Sequence, residues 1–464
     1  MRSPQHQEWR PDLLRRARET HGLTLEEAAE KIRALDTQGF RPPNATFQMI
    51  GRHERGEVSP GRRYQRAYSM IYQASASELG FPPSGLNPLD RPARSRAKLW
   101  SQPLHQSAGW TRRSSAELEA LAAAALSTDA PDTISAARLA HEWLLTPPPQ
   151  IAELTAGRRI GVGLARQVEG RVAQLRRLDD YVGGPDLIDL VTSELTATTT
   201  LLREGTYSET IARTLLGAVG ELGQLAGWVA ADAGRHESAT RFIITGLRAA
   251  HAAADTPLAA NLISTLSYQL ANAGDPAEAV LLAQTACTGA ATTATPATRA
   301  LLIDRLAWAH ARAGDTTACE RSLADVETHY DQHTDTDDDP EWIYWMNQRE
   351  IDVMAGRCWT ELNQPDRAEP RLLQGLAGYQ PIHAREVALY ESWLAESYIQ
   401  TGDITEAARR TTHVVELDAK ISSTRTADRI QVLRARLTPY ADQQVVQDLN
   451  DLCTSYGYGY GTTP

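Results

Sequence analysis

Small residues recur along the second half of the chain at a spacing that few folds allow. An Ala-Gly-Arg or Ala-Gly-Asp signal occurs at Gly234, Gly274 and Gly314, two spacings of 40 residues, and weaker copies lie at Asn363 and Gly402. A fixed period of this length is typical of stacked helical hairpins. A Gly or Asn between two helices supplies the left-handed turn that such a hairpin needs. The pattern therefore predicts an all-α array.

Two further columns of small side chains fix the register of these hairpins. All five copies carry a small residue seven positions before the signal and another five positions after it, where the two helices of a hairpin must approach closely. The first column is Gly227, Ser267, Ala307, Gly356 and Ala395; the second is Ala239, Ala279, Cys319, Ala368 and Ala407.

The pattern over about residues 215–418 resembles the tetratricopeptide (TPR) repeat with lengthened copies. Three of the five copies lack the aromatic residue that this family places four positions before the glycine, and the closing proline is missing. The resemblance implies a TPR-like α-solenoid. Segments 114–145, 165–180 and 186–203 are predicted as further helices on its N-terminal side, and 422–438 and 442–454 as helices at its other end.

The net charge of −11 is unevenly distributed along the chain. Residues 1–113 carry 19 Lys and Arg against 11 Asp and Glu, whereas the remainder carries 28 against 47. Such asymmetry is typical of a nucleic-acid-contacting end joined to a body with another role. The alternative is that the basic end is a solvated tail. This alternative is excluded only if the basic end also folds.

Helical signals in the basic end argue that it folds. A helical stretch around Asp12–Thr20 ends near Gly22, and Thr24 with Glu27 forms the capping-box pattern that starts a second helix. A third helix is predicted from Thr46 to Glu54. The order of these signals resembles the helix-turn-helix of the Xre/phage-repressor class, although residues 33–43 lengthen the connection before the third helix.

This resemblance implies that the third helix enters the major groove of DNA. The residues expected at the bases are its cap and the positions one, two and six after it: Thr46, Phe47, Gln48 and Arg52. Gln48 can pair with adenine, Arg52 with guanine, and Phe47 can touch a thymine methyl group. Alternatively, Phe47 belongs to the core and Arg52 pairs with a nearby glutamate. Phosphate contacts are expected from Arg41, Arg55, Arg62, Arg63 and Tyr64.

A Pro-rich basic stretch, 84–113, follows and is interpreted either as an extra contact to the DNA backbone or as a solvated spacer. The predicted organisation is 1–83 for the helix-turn-helix domain, 84–113 for the linker, 114–205 for the leading helices, 206–455 for the repeat domain and 456–464 for a flexible tail.

The first helix of each TPR hairpin lines the concave surface in that family. The residues six, ten and thirteen positions before the glycine signal form an aromatic stripe edged with amides and acids on this surface. Such a surface suits binding of a peptide or a small signal molecule. Ordinary packing against a neighbouring helix is the alternative for these aromatic residues. The predicted ligand set is Glu221, Gln224, Trp228, Asn261, Ser264, Tyr268, Asp304 and Trp308.

Other chemistry finds little support in the sequence. The four cysteines are far apart, and no catalytic or zinc-type grouping appears at a diagnostic spacing, so no enzyme activity, metal or cofactor is expected. The acidic run 335–339 imitates a calcium loop, but Pro340 and Met346 occupy the positions that need glycine and glutamate. No run of about 18 apolar residues is present, which argues against a membrane-spanning helix and for a cytoplasmic protein.

A helix-turn-helix joined to a TPR array resembles the peptide-sensing regulators of Gram-positive bacteria and, more closely, the actinobacterial Xre-TPR regulators, with the run Leu222–Gly234 as one shared feature. This implies a dimeric transcription factor that binds a palindromic double-stranded operator and a small-molecule or peptide signal, as in quorum sensing, and controls differentiation or secondary metabolism. The alternative is a TPR scaffold that acts through protein partners, with the N-terminal domain only localising it.

Overall fold

The prediction of an all-α chain is confirmed. The computed structural model describes residues 10–35, 42–58, 60, 62–72, 74, 79–81, 109–125, 135–151, 158–179, 184–334, 337–379, 383–421 and 423–458, and twenty α-helices form within these ranges. The chain divides into two compact units, Met1–Pro92 and Ala93–Pro464.

The described residues of the first unit form four short helices. They are α1 (Pro11–Thr20), α2 (Leu25–Arg33), α3 (Phe47–Glu54) and α4 (Arg62–Tyr72). The capping box predicted at the start of α2 is present, because the Glu27 amide donates to Thr24 Oγ1 at 3.2 Å and the Thr24 amide donates to Glu27 Oε2 at 2.7 Å. Gly22 has a φ of +64°, so glycine suits the turn between α1 and α2.

A buried ion pair joins α1 to the end of α3 in this unit. Arg18 donates from Nε to Glu54 Oε1 at 2.7 Å and from Nη2 to Oε2 at 2.9 Å, and only 5% of Glu54 is exposed. The paired fork geometry makes this a strong, orienting contact. Leu14, Ile32 and Ile50 surround it with a small apolar core.

Leading helices open the second unit. They are α5 (Arg112–Ala124), α6 (Ala136–Leu145), α7 (Val162–Leu178) and α8 (Gly184–Glu204), and α5 and α6 overlap the segment 114–145 that the sequence predicts to be helical. Two-residue strands pair in parallel, β1 (Gly109–Trp110) with β2 (Gln150–Ile151) and β3 (Arg158–Arg159) with β4 (Gly205–Thr206).

Five antiparallel hairpins follow. They are α9 (Glu209–Asp232) with α10 (His236–Ala252), α11 (Thr256–Ala273) with α12 (Pro276–Gly289), α13 (Pro296–Ala313) with α14 (Thr316–Tyr330), α15 (Gln348–Glu361) with α16 (Pro365–Leu376), and α17 (Ala384–Thr401) with α18 (Ile404–Ile421). A 3₁₀ helix, Glu341–Ile343, precedes α15. The unit ends with α19 (Thr424–Leu437), the 3₁₀ helix Thr438–Tyr440 and α20 (Gln444–Ser455).

The turns of four hairpins have the left-handed backbone that the sequence predicts. The φ angles are +73° at Gly234, +77° at Gly314, +57° at Asn363 and +86° at Gly402. Gly274 is an exception with a φ of −132°, so the left-handed turn predicted there is wrong. Its amide still donates to the Leu270 carbonyl at 2.7 Å, which continues the hydrogen bonding of α11 before the chain turns.

The two columns of small residues meet inside the hairpins. Ser267 Oγ donates to the Ala279 carbonyl at 2.7 Å, and a Cβ atom added at Gly227 would lie 3.1 Å from the Ala239 carbonyl. At Gly356 the same addition would lie 2.5 Å from Leu372 Cγ. Small side chains are therefore required here because the paired helices are in near contact.

The last hairpin and α19 return to the first helices of the unit. Arg385 on α17 donates to the Asp179 carbonyl at 2.6 Å and lies 3.5 Å from Asp232 Oδ2. Arg425 on α19 donates to the Asp232 carboxylate at the end of α9. These long-range contacts connect the beginning and the end of the array.

The predicted flexible tail, 456–464, is described only to Tyr458. The Tyr458 hydroxyl donates to the Asp418 carboxylate, and its carbonyl accepts from Arg434, so the described part of this segment contacts α18 and α19. Among the described helices, none has the length and apolar character needed to cross a membrane.

Candidate functional site

A cavity of about 550 Å³ lies on the side of the array formed by the first helices of the hairpins. Among the described residues, α9, α11, α13, α15 and α17 all contribute to its lining, whereas their partner helices α10, α12, α14, α16 and α18 do not. The 3₁₀ helix, the residues after it, α7, and Arg425 of α19 complete the wall. A volume of this size is typical of sites for small molecules, roughly 300–1,000 Å³.

Two neighbouring aromatic rings, tilted by 30° relative to each other, form one part of this wall. The ring centroids of Trp228 and Tyr268, on neighbouring first helices, are 5.8 Å apart. The guanidinium carbon of Arg305 lies 4.4 Å from the Tyr268 centroid, 5.9 Å from that of Trp228 and 5.8 Å from that of Trp345. Arg305 is therefore held by cation-π contacts to three rings.

A second arginine lies deeper in the same wall. Arg357 Nη2 donates to the Tyr268 hydroxyl at 2.8 Å, and only 6% of Arg357 is exposed. Its guanidinium carbon is 4.7 Å from the centroid of Trp308 and 5.3 Å from that of Trp393. Aromatic faces rather than a carboxylate thus surround this buried cation.

Two acidic side chains of the cavity differ in their surroundings. Glu350 accepts hydrogen bonds from the hydroxyls of Tyr390, at 2.7 Å, and Tyr379. Asp304 is 4% exposed, and its Oδ1 atom is buried without a hydrogen-bond partner among the described residues.

The electrostatics of the wall favour negative charge on Tyr268. Burial opposes ionisation of this hydroxyl, but Arg357, Arg305 and Arg425 outweigh the burial and lower its pKa to about 8. Burial raises the pKa of Asp304 to about 7, against the opposing effect of Arg305 and Arg357. Near neutral pH, therefore, much of the negative charge that Asp304 could supply is absent.

Five of the eight residues predicted for ligand binding line the cavity: Gln224, Trp228, Asn261, Tyr268 and Asp304. The other three are placed differently. Glu221 lies beside Arg176 at 3.5 Å, and Ser264 Oγ donates to the Asn261 carbonyl within α11. Trp308 is buried, and its indole nitrogen donates to Asn272 Oδ1 at 3.1 Å, so it has the packed arrangement that the sequence left open.

The sequence analysis missed the residues that the later hairpins contribute. Arg357 and Glu350 occupy the positions six and thirteen before Asn363, which are the columns that hold Trp228 and Glu221 in the first hairpin. Extending the two columns to the fourth copy would have identified both. Trp342, in the 3₁₀ helix, and Trp345, just after it, have no equivalent in the other repeats, so no column of the repeat predicts them.

In the first unit, the predicted base-reading residues share an exposed face. Thr46 caps α3 by accepting from the Met49 amide at 3.3 Å, and Phe47 is 44% exposed, while Gln48 and Arg52 are also exposed. Arg52 lies 3.5 Å from Glu57, a solvent-exposed pairing that costs little to break.

The opposite face of α3 holds it in the unit. Ile50 is fully buried, Glu54 pairs with Arg18, and His53 Nδ1 lies 2.9 Å from the Tyr68 hydroxyl. Burial, with a smaller effect of Arg52, lowers the pKa of His53 to about 4, so this side chain is a neutral packing residue at physiological pH.

The predicted phosphate contacts are only partly described. Arg55 is exposed and donates from Nε to Glu57 Oε1 at 2.6 Å, and Tyr64 is half-buried with its ring 4.8 Å from that of His53. Arg62 and Arg63 belong to α4, but their side chains lie outside the described residues, as does Arg41 altogether.

The comparisons with known proteins do not assign the chain to a family. No family model matches it, and no curated protein matches its sequence. Within the described residues, no group of three or more His, Cys, Asp or Glu side chains is placed to hold a metal ion. The two features from which function can be inferred are the exposed face of α3 and the cavity.

Proposed function

We propose that the protein is a sequence-specific transcriptional regulator. In this proposal the first unit is a helix-turn-helix domain of the Xre type that binds double-stranded DNA, and the hairpin array is a TPR-like sensor that binds a small-molecule or peptide signal in its cavity. The regulated processes are those that the resemblance implies, differentiation or secondary metabolism. A cytoplasmic homodimer on a palindromic operator is part of the same proposal.

The observation that carries the proposal is the division of α3 into two faces. Phe47 and Gln48 are exposed at its capped start and Arg52 is exposed in its last turn, while Ile50 and His53 are buried on the other side. A recognition helix needs this arrangement, because its first residues must reach base edges while the domain holds its axis fixed.

The charge distribution supports the same function. An excess of basic residues in 1–113 suits contact with phosphates, and the acidic remainder is repelled by them. DNA contact is thereby confined to the basic end, which leaves the cavity of the array accessible to a signal.

A selection from randomised DNA duplexes with the full-length protein tests the proposal. We expect an enriched sequence whose affinity falls steeply as salt rises, because each phosphate contact releases counterions. Arg52→Ala should relax preference at one base pair, at a cost of about 1–3 kcal/mol, whereas Arg55→Ala should weaken binding to all sequences alike. Arg166→Ala removes an exposed charge on α7 and serves as the matched control.

Two outcomes would contradict the proposal. A salt-independent affinity would exclude phosphate neutralisation by the basic end, and equal effects of Arg52→Ala and Arg166→Ala would exclude base reading by α3. Absence of DNA binding with a functional array would instead favour a scaffold that acts through protein partners.

A further inference from the structure

The arginines that line the cavity outnumber the acidic side chains that line it. Six arginines line the cavity against four acidic side chains, Asp179, Asp304, Glu350 and Glu386. The arginines are Arg176, Arg305, Arg349, Arg357, Arg385 and Arg425.

Three of these arginines have structural partners. Arg176 donates to Gln224 and lies beside Glu221, while Arg385 and Arg425 share the carboxylate of Asp232. These contacts join α7 to α9, and they join α17 and α19 to the end of α9.

The other three arginines make no ion pair with a carboxylate anywhere in the described ranges. Arg349 is exposed at the start of α15, Arg305 is half-buried among aromatic rings, and Arg357 is buried with its Nε atom lacking a hydrogen-bond partner among the described residues. A buried cation without a paired anion is costly, so this arrangement is more favourable when an anion occupies the cavity.

Within the described residues, the acids of the cavity wall make no ion pair with these three arginines. Glu350 accepts hydrogen bonds from two tyrosine hydroxyls, and burial raises the pKa of Asp304 to about 7. Burial opposes ionisation of the Tyr268 hydroxyl, but Arg357, Arg305 and Arg425 outweigh it and lower its pKa to about 8.

The rest of the cavity wall indicates the chemical nature of the uncharged part of the ligand. Trp228, Tyr268 and Trp345 surround Arg305, and Trp342 and Met346 extend the apolar surface beyond them. Planar apolar groups stack well on such rings, and a volume of about 550 Å³ accommodates a compact molecule.

We propose that the signal is a small organic anion, a carboxylate or phosphate on a planar apolar body, with its acidic group at Arg305 and Arg357 and its body against Trp228 and Trp345. This identification of the ligand rests on the proposed sensor function. Guanidinium groups bind carboxylate and phosphate by the same forked geometry, so the shared feature is the anion.

Three probes that differ only in their polar group test the proposal on the full-length protein without DNA. They are naphthoate, naphthyl phosphate and neutral naphthamide, with binding measured by calorimetry and by quenching of tryptophan fluorescence. We expect at least one of the two anions to bind about tenfold or more tightly than naphthamide, a difference of roughly 1.4 kcal/mol. The preference between the two anions distinguishes a carboxylate signal from a phosphate signal.

Variants then locate the anion. Arg305→Met and Arg357→Met should each reduce affinity for the preferred anion about tenfold, because each removes a charge-assisted contact, and should leave naphthamide binding unchanged. Arg305 makes no hydrogen bond that the fold needs within the described residues, so its variant is expected to fold even where Arg357→Met does not. Arg166→Met on the outside of α7 is the control and should bind both anions like the parent protein.

Equal binding of the three probes, no measurable binding of any of them, or unchanged anion affinity in Arg305→Met would overturn the proposal. Displacement of a bound probe by an unselected peptide mixture, with neither anion preferred over naphthamide, would likewise replace the small anion by a peptide. These measurements are independent of DNA binding. Failure of the anion proposal therefore leaves the DNA-binding result intact, and loss of DNA binding leaves the anion result intact.

Discussion

Asp304 is the residue in the cavity whose protonation most directly couples to folding. It lies between Arg305 and Arg357, which favour its ionised form, and Glu350, which opposes it, but burial is the largest effect and places its pKa at about 7. The folded chain therefore holds this proton more tightly than an unfolded chain, in which the ordinary value of 3.8 applies. Its contribution to stability is complete below about pH 4 and is lost as pH rises through 7.

Asp304→Asn removes this ionisation and should flatten the pH dependence of stability. Between pH 4 and 7 the free energy of unfolding of the variant is expected to rise relative to the parent protein, because only the parent has a carboxyl group that ionises in the unfolded chain but keeps its proton in the folded chain. Urea denaturation at pH values on both sides of this window measures the difference. Asp325→Asn, at an exposed position on α14, is the control, and parallel pH curves for all three proteins would contradict the prediction.

At the scale of helices, α9 and α10 approach each other closely at Gly223. A Cβ atom added at Gly223 would lie 2.6 Å from Gly246 Cα and 2.8 Å from the Phe242 carbonyl oxygen. Gly217, on the same helix, has open space at the corresponding point. One helix thus offers two glycines with the same intrinsic propensity and opposite surroundings.

Alanine at these two positions should change stability in opposite directions. Gly223→Ala is expected to destabilise the array by about 1–3 kcal/mol, since two backbones must move apart. Gly217→Ala should stabilise it by up to about 1 kcal/mol, because alanine loses less conformational freedom in a helix. Chemical denaturation of both variants measures the pair, and a shift of the same sign in both would show that the helices are not in close contact at Gly223.

The sequence could predict the hairpins because their requirements are local. Gly234 and Gly314 indicate turns, and the two columns of small residues indicate close contact between helices that follow each other in the chain. The same period placed Trp228 and Tyr268 side by side at the cavity. The repeat period does not predict the residues contributed where it is broken. The fourth signal, Asn363, follows the third by 49 residues instead of 40, and the extra length contains Trp342, in the 3₁₀ helix, and Trp345, just after it.

At the scale of the array, its two ends meet through side chains that are distant in sequence. Arg425 reaches Asp232 across 193 positions, and Arg385 reaches Asp179 across 206. No local pattern carries such contacts, because they depend on the accumulated rotation of every hairpin between them. Residues of α9, α17 and α19 all line the cavity, so the cavity is bounded by helices from both ends of the array.

A single substitution at Asp232 tests how much the contacts between the two ends contribute to the stability of the array. Asp232 is 3% exposed and contacts both Arg385 and Arg425, so Asp232→Asn removes the carboxylate that pairs with Arg425 and one of the three carboxylates near Arg385. We expect a loss of roughly 3–5 kcal/mol in stability, typical of a broken buried pair. Hydrogen exchange should increase in α19 and α17 in the variant, since these helices lose their anchor to α9.

Glu406→Gln provides the matched comparison for this prediction. Glu406 also pairs with two arginines, Arg409 and Arg410, and these hydrogen bonds lower its pKa to about 2, but all three residues belong to α18. Among the described residues, the Glu406 carboxylate pairs only with arginines of its own helix at a more exposed site, and Arg410 also donates to Glu391 on α17, which Glu406→Gln does not remove. The substitution should therefore cost about 1 kcal/mol or less and leave exchange in α19 unchanged. If Asp232→Asn behaves like Glu406→Gln, the contacts between the ends contribute little, and the cavity is held closed by apolar packing between successive hairpins instead.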